Sequence, residues 1–270
     1  MKINPQFTEK ILTNFIREEL KKNGFSRGIL GLSGGLDSST SISLAVRALG
    51  AENVTGVIMP YGDLFQQDVQ DADTLSHSLG IRTVTVDIKP AVDAYYSQFP
   101  TDNQVLKGNK MARERMSVLY DFSMREKSLV IGTSNKTELL LGYGTIHGDM
   151  ASAINPMGDL YKTQVRVMAR HLGVPESILN KAPTAGLWSG QTDEEELGLT
   201  YEEIDRVPCR MVDGRRSPAQ MVQEGFAKEK VEKIYRMIES SEFKRKLPSI
   251  PKISPRTVGL DFLYPYDRGK

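Results

Sequence analysis

Four short apolar runs, each followed by a stretch of helical periodicity, restrict this chain to a narrow class of folds. They are "GILGL" at 28–32, "VTGVIM" at 54–59, "IRTVTVDI" at 81–88 and "SLVIGT" at 128–133. A leading amphipathic helix carries Phe7, Ile11, Leu12, Phe15, Ile16 and Leu20 on one face and stops near Gly24. Further helices are expected at about 38–49, up to Gly80, after Pro90, along "KMARERMSVLYDFSMRE", and at 135–142 and 160–172. This alternation specifies an α/β fold, a doubly wound and mostly parallel sheet flanked by helices. Ligands of such folds sit beyond the carboxyl ends of the strands. The sheet pattern ends near residue 133, and the polar stretch 99–109 reads as a loop. Residues 182–198 carry three glycines and read as a mobile lid. A last helix is expected over 217–239, with Val231, Ile234, Tyr235 and Ile238 on one face. The simplest organisation is one domain over 1–270. Its α/β part spans about 1–180, and a lid with a helical C-terminal part spans about 181–270.

Bulk composition excludes several classes. The formal net charge of +1 gives no general attraction to nucleic acid or membranes. Cys209 is the single cysteine, so no intramolecular disulfide forms. His77, His147 and His171 have no zinc-ligand spacing. The opening "MKINPQFTEK" lacks the apolar run of a signal peptide. No apolar run approaches the roughly 20 residues of a membrane span. A cytoplasmic protein is expected.

The stretch "SGGLDSS" lies between the first strand and a helix. That context puts Ser33 to Ser38 at a helix N-terminus, where free N–H groups and the helix dipole favour anions. Gly34 and Gly35 let the backbone wrap phosphate oxygens, and Ser33, Ser38 and Ser39 add hydroxyl donors. Asp37 would repel a phosphate unless a cation lay between them, which suits Mg²⁺. The plain alternative is a turn in which Asp37 or Ser38 caps the helix. The loop lacks the Walker lysine, so it is not a Walker-type loop.

"SGGLDSS" resembles the PP-loop of ATP pyrophosphatases, which cut ATP into AMP and pyrophosphate. Five further stretches occur in order: "GNKMARERM", "GTSNKTELLLGYGTIHGD", "INPMGDLYKTQV", "KAPTAGLWSGQTDEEELG" and "EFKRKLP". Together they resemble the ammonia-dependent NAD synthetases over nearly the whole chain. The resemblance implies an adenine-nucleotide alpha-hydrolase-like fold and a ligase that amidates deamido-NAD with ammonia. Its co-substrate is ATP and its metal is Mg²⁺; an acyl-adenylate forms, and NAD, AMP and pyrophosphate are the products. It also implies a homodimer.

The same resemblance assigns roles by position. Gly31, Leu32, Ser33, Gly34, Gly35, Leu36, Asp37 and Ser38 would hold ATP, with Thr133, Lys162 and Thr184. Asp37 and Glu138 would hold the metal. Arg113 and Lys244 would contact deamido-NAD, and Ser33 and Asp149 would receive ammonium. Independent readings stand beside these. Asn135 and Glu138 fit a capping box. Lys162 falls in the first turn of a helix expected to be capped by Asp159, where a cation needs an anionic partner such as phosphate. Thr133 and Thr184 read as ordinary loop hydroxyls, Arg113 as a surface arginine, and Asp149 as a turn residue after Gly148. The basic run around Lys244 reads as a solvated tail, and Trp188 could anchor the lid.

Three positions depart from the family pattern. Ile146 stands where many members have lysine, Ala153 where they have aspartate, and Phe243 where a histidine is common. All lie on the deamido-NAD side. About 25 residues precede the first strand, too few for a glutaminase domain, so free ammonia is the expected nitrogen source. Two competing readings of the loop are an RNA-modifying enzyme that adenylates a tRNA base and a nucleotide-binding sensor without turnover. Met111, Val118, Leu119 and Phe122 on helix 109–126 could face either a partner or the sheet.

Overall fold

The computed structural model describes residues 2–184, 186, 188, 190 and 192–262. Four strands form one parallel sheet: β1 (Arg27–Gly31), β2 (Val54–Ile58), β3 (Arg82–Thr85) and β4 (Ser128–Val130), in the order β3-β2-β1-β4. Ile29 of β1 lies opposite Thr55 of β2 and Val130 of β4. A single parallel bridge, Ile131 to Ile154, carries the pairing just beyond β4.

Helices α1 (Pro5–Lys22), α2 (Leu36–Leu49), α3 (Gln66–Leu79), α4 (Lys89–Gln98), α5 (Gln104–Glu126), α6 (Lys136–Leu141) and α7 (Lys162–Leu172) surround the sheet. Short α8 (Glu176–Leu179) and α9 (Asp193–Leu197) lead to α10 (Tyr201–Pro208), α11 (Pro218–Gln223) and α12 (Lys228–Ser240).

Ile29 and Leu30 are adjacent in β1, and both are fully buried. Successive strand residues point to opposite faces, so both faces of the sheet must be covered. Ile29 packs with Val57, Ile88, Val92 and Met111 beneath α4 and α5. Leu30 packs with Ile16, Ile42, Leu44, Val165 and Met168 of α1, α2 and α7. Burying each large side chain contributes about 1.5–3 kcal/mol. Val118, Leu119 and Phe122 join Met111 against the sheet, so that apolar stripe covers the protein's own core. A third cluster, built on Leu141, Tyr201, Ile204, Met221, Val231 and Ile234, fastens the C-terminal helices to α6.

Several boundaries differ from the sequence expectation. The loop expected at 99–109 is shorter, because Asn103 caps α5 by accepting from the Leu106 N–H at 3.1 Å. The helix expected over 217–239 is two helices, broken at Gly225 with φ +93°. Part of the expected lid loop is helical, as α9; Ala185, Leu187, Ser189 and Gln191 of that loop lie outside the described residues. The helix after residue 160 begins behind Tyr161, not Asp159. Asp159 is exposed and pairs with Lys136 at 2.9 Å. Among the described residues, no helix is long and apolar enough to cross a membrane.

The strand order reverses at β1. The chain moves from β1 to β2 and β3 on one side, then returns to place β4 on the other. The loops leaving β1 and β4 diverge there and open a crevice at the carboxyl edge. The first loop rests on α3. Gly34 has φ +76°, and a Cβ added to it would stand 2.0 Å from the Asp68 carbonyl oxygen. Gly34 therefore serves a close backbone approach to α3. We expect Gly34→Ala to destabilise the protein by roughly 1–3 kcal/mol and lower its Tm by several degrees. An unchanged melting curve would show that the loop does not depend on this contact.

Candidate active site

The crevice between the loops after β1 and β4 deepens into a cavity of about 580 Å³. That volume suits a nucleotide-sized ligand. Gly31, Leu32, Ser33, Gly35, Leu36, Asp37, Ser38, Thr133, Glu138, Asp149, Lys162, Thr184 and Lys244 all line it. Gly34 and Arg113 are not among the lining residues.

The first wall is the loop and the start of α2. The helix begins at Leu36 behind an extended Gly35 that makes no side-chain cap. Neither Asp37 nor Ser38 is the cap, which disposes of the plain turn reading. The first N–H groups of α2 therefore lack a side-chain cap at the edge of the cavity. Hydroxyls hold the loop's shape: Ser33 Oγ lies 3.0 Å from Ser38 Oγ, and the Gly35 N–H donates to Ser33 Oγ at 3.3 Å. Lys181 ties the loop to α3, donating to the Gly34 carbonyl at 3.3 Å and to Asp68 at 2.6 Å.

Beside the loop, two carboxylates grip a buried ammonium. Lys162, the first residue of α7, is 5% exposed. Its Nζ donates to Asp37 Oδ2 and, at 3.2 Å, to Glu138 Oε1. Its ring neighbour is Tyr201, with the ammonium 5.1 Å from the centroid. The anionic partner that a cation at this helix start requires is thus supplied by the protein itself. Burial alone would lower the Lys162 ammonium, but Asp37 and Glu138 outweigh it and hold it above the usual lysine range. Burial, then the nearby Asp37 charge, pushes Glu138 up to about 8.

The two readings of Glu138 are both present in one side chain. Its Oε2 accepts from the Asn135 N–H at 3.3 Å, and its own N–H donates to Asn135 Oδ1 at 3.0 Å, completing the capping box of α6. Its Oε1 faces Lys162. Asn135 also donates from Nδ2 to Asp37 Oδ1 at 2.9 Å, so the cap and the carboxylate pair are one network.

Asp205, which sequence reasoning did not select, supports this cluster from α10. It is fully buried. Its Oδ1 accepts from Thr137 Oγ1 at 2.5 Å and its Oδ2 from the Thr163 N–H at 2.8 Å. Thr137 Oγ1 in turn accepts from the Lys162 N–H at 2.9 Å. One carboxylate thereby locks the first turns of α6 and α7, which carry Glu138 and Lys162. Burial raises its carboxyl above the ordinary range, against the pull of Thr137 and Thr163.

The far wall differs in character. Asp149 accepts from the Thr145 N–H at 2.8 Å, as a turn residue would, yet it also lines the cavity. Its side chain is exposed at the cavity wall, and the protein packed around it raises its carboxyl despite Thr145 and Arg115 nearby. Arg115, also missed from sequence, lines the cavity and donates from Nε to the Met59 carbonyl at 3.1 Å. Burial lowers its guanidinium to about 10, so it stays charged at neutral pH. Arg113 lies on the exposed face of α5, donating to the Ile146 carbonyl at 3.3 Å. Lys244 donates to the Gly142 and Gly144 carbonyls at 2.7 and 3.0 Å within its own chain.

The lid segment is clamped at its base. The Asp193 N–H donates to the Pro183 carbonyl at 2.9 Å, closing the loop's ends. Tyr143 and Tyr201 hydroxyls donate to Asp193 at 3.0 and 2.9 Å, and Tyr143 also donates to Glu196. The Gly186 N–H donates to Thr184 Oγ1 at 3.1 Å, and Trp188 lines the cavity. Only spatial assembly brings Tyr143, Asp193 and Tyr201 together; no local sequence pattern marks them.

Two outcomes follow from this cluster. Glu138 has a folded pKa of about 8, well above an unfolded glutamate. Between those two values the folded state holds a proton that the unfolded state has lost, so stability falls as pH rises. In chelator, denaturation at pH 5 to 8.5 should show that decline, and Glu138→Gln should flatten it; parallel curves would exclude Glu138 as the group. Asp205→Asn places an amide NH₂ against a donor, so it should cost roughly 1–3 kcal/mol in urea unfolding. A change within about 0.5 kcal/mol would mean the network does not carry the two helix starts.

Comparison with known proteins identifies the lineage. The NAD synthase family model matches residues 8–248. The NH(3)-dependent NAD(+) synthetase of Trichlorobacter lovleyi is 50% identical, with 100% of this chain and 99% of that protein aligned. Among solved structures, the NMN synthetase of Francisella tularensis superposes with a TM-score of 0.82 at 38% identity, covering 93% of this chain and 99% of that one. The NH3-dependent NAD synthetase of Campylobacter jejuni, solved with a nitrate ion, gives 0.80 at 33% identity, covering 93% and 100%. The RNA-modifying and sensor readings of the loop find no support in these relatives. The chain therefore belongs to the NAD synthase family of carbon–nitrogen ligases, where the relatives from Trichlorobacter lovleyi and Chlorobium phaeovibrioides, aligned over nearly their whole length, are NH(3)-dependent NAD(+) synthetases.

Proposed function

We propose that this cavity joins ammonia to the nicotinate carboxylate of deamido-NAD at the expense of ATP, in the cytoplasm. The observation that carries the reading is the helix start of α2, free of any side-chain cap, directly beside the Asp37–Lys162–Glu138 cluster. Phosphate oxygens would accept from the loop N–H groups and the hydroxyls of Ser33 and Ser38. The carboxylate oxygen of the substrate attacks the α-phosphorus, and the bond to the β-phosphate oxygen breaks. Pyrophosphate leaves into the loop and an acyl-adenylate remains. Ammonia then attacks its carbonyl carbon; AMP departs and the attacking nitrogen loses a proton, leaving the amide.

Asp37 and Glu138 fit a magnesium ion. They are hard oxygen donors, side by side on the cavity wall, and too few to form an all-protein cage, as Mg²⁺ bridging to phosphate prefers. When bound, Mg²⁺ would neutralise charge on the phosphate oxygens. Lys162 would then turn part of its hydrogen bonding toward phosphate. Thr133 and Thr184 frame the nucleotide from the loop after β4 and from the lid. Ser33 and Asp149 would hold ammonium and pass on its proton.

A homodimer is part of this reading. Exposed Tyr95, Phe99, Val105, Leu106, Tyr120 and Met124 on α4, α5 and the turn between them offer apolar area for a second copy. Arg113 and the tail around Lys244 would meet the far end of deamido-NAD near that surface.

A second substrate is favoured by one specific set of residues. Ile146, Ala153 and Phe243 remove polar groups on the dinucleotide side, and one close structural neighbour is an NMN synthetase. Nicotinate mononucleotide is the corresponding acceptor.

The test is a product assay with Mg²⁺, ATP and ammonium, using deamido-NAD or nicotinate mononucleotide, with glutamine replacing ammonium in parallel. Amide, AMP and pyrophosphate should form in equal amounts, from ammonium only, with higher kcat/KM for deamido-NAD. A preference for the mononucleotide would reassign the substrate; ATP cleavage independent of either acceptor would overturn the reaction. Asp37→Asn should lower kcat/KM by about 100-fold or more, as loss of transition-state charge stabilisation does.

A further inference from the structure

Arg115 has an arrangement that a structural arginine does not need. It projects from α5 into the cavity, held by one hydrogen bond from Nε to the Met59 carbonyl at the end of β2. Among the described residues its terminal guanidinium nitrogens have no hydrogen-bond or ion-pair partner. Asp149, whose charge acts on Arg115, also lines the cavity, yet the two form no ion pair. Asp149 is exposed and Arg115 half-buried, so both charges stand open to a ligand entering the cavity.

The amidation reaction supplies such a pair of reactants. Its acceptor ends in a carboxylate, and its nitrogen source at neutral pH is ammonium. Arg presents a planar fork of donors that matches a carboxylate, whereas Asp149 offers only acceptors. The anchoring of Nε on Met59 fixes the plane of the fork and leaves the terminal nitrogens for the ligand.

We propose that Arg115 binds the nicotinate carboxylate of the acceptor, opposite an ammonium held by Asp149, and so distinguishes substrate from product. The product carries a neutral carboxamide, whose NH₂ group meets the guanidinium donor to donor. Arg115 thus favours release after each turnover. The proposal rests on the amidation reading and adds to it a substrate-selecting residue.

The experiment is equilibrium binding to the full chain, without ATP, of the carboxylate and carboxamide partners: deamido-NAD against NAD, and nicotinate mononucleotide against NMN. ATP binding is measured separately. The wild type should prefer the carboxylate member by about 10- to 100-fold, the range for a charge-assisted pair. Arg115→Met should bring that ratio close to one while leaving NAD and ATP affinities within about twofold. Arg115→Lys, which keeps charge but not the fork, should retain an intermediate ratio.

A wild type with no preference would overturn the proposal whatever the variants do. So would a variant in which carboxylate, carboxamide and ATP binding weaken together, since that marks mere support of β2 through Met59. The underlying reaction is judged separately: an enzyme that makes the amide but shows no such selectivity refutes Arg115 alone. One that makes no amide refutes the amidation reading first.

Discussion

The site depends on one buried ammonium. Lys162 sits at the first position of α7, where the helix dipole disfavours it, and is closed off from solvent. Neither condition is tolerable without the carboxylates of Asp37 and Glu138. Those two residues belong to α2 and α6, which follow β1 and β4 on opposite sides of the topological switch. The ion cluster therefore pins three helix starts to a single point. Removing Lys162 leaves Asp37 and Glu138 side by side without their cation, a larger penalty than the bonds themselves are worth.

The surrounding hydrogen bonds make that point rigid. Asn135 joins the cap of α6 to Asp37, and Asp205 joins the first turns of α6 and α7. Asp205 comes from the C-terminal helices, which would otherwise look like an accessory to the sheet. Their apolar cluster around Ile204 and Ile234 positions α10, and α10 positions the carboxylate. In this way a core some distance from the loop after β1 sets the geometry of the groups beside it. The opposite wall, with Asp149 and Arg115, has fewer internal bonds and more unsatisfied charge.

Much of the architecture was legible beforehand because periodicity reports burial directly. The strands around Ile29, Val57, Val84 and Val130 and the helices between them stand where alternation and helical spacing put them. The glycine–hydroxyl loop stands at the start of a helix, as its place after the first apolar run implies. Failures have local causes. Asn103 was passed over as a cap, so α5 began too late. Gly225 was not taken as a break, so two helices were read as one. Asp159 looked like the natural cap of α7, but its side chain is turned out to Lys136. At Gly34 the sequence shows a loop glycine suited to phosphate, and the structure adds the close approach of the Asp68 carbonyl.

The family resemblance grouped Asp37, Glu138 and Lys162, while the sequence by itself determined the parallel α/β fold and the position of the loop at a helix start. These depend on short-range spacing and on residue chemistry, both visible in a single chain. Only the tertiary structure decided that Lys162 answers to Asp37 and Glu138 of its own protein, that the capping Glu138 turns its other oxygen to that cation, and that Asp205 holds both helix starts. It alone placed Arg115 and Asp149 in one cavity without pairing them. Such relations join residues tens to more than a hundred positions apart. They arise from how the sheet order folds back at β1, which no local pattern encodes.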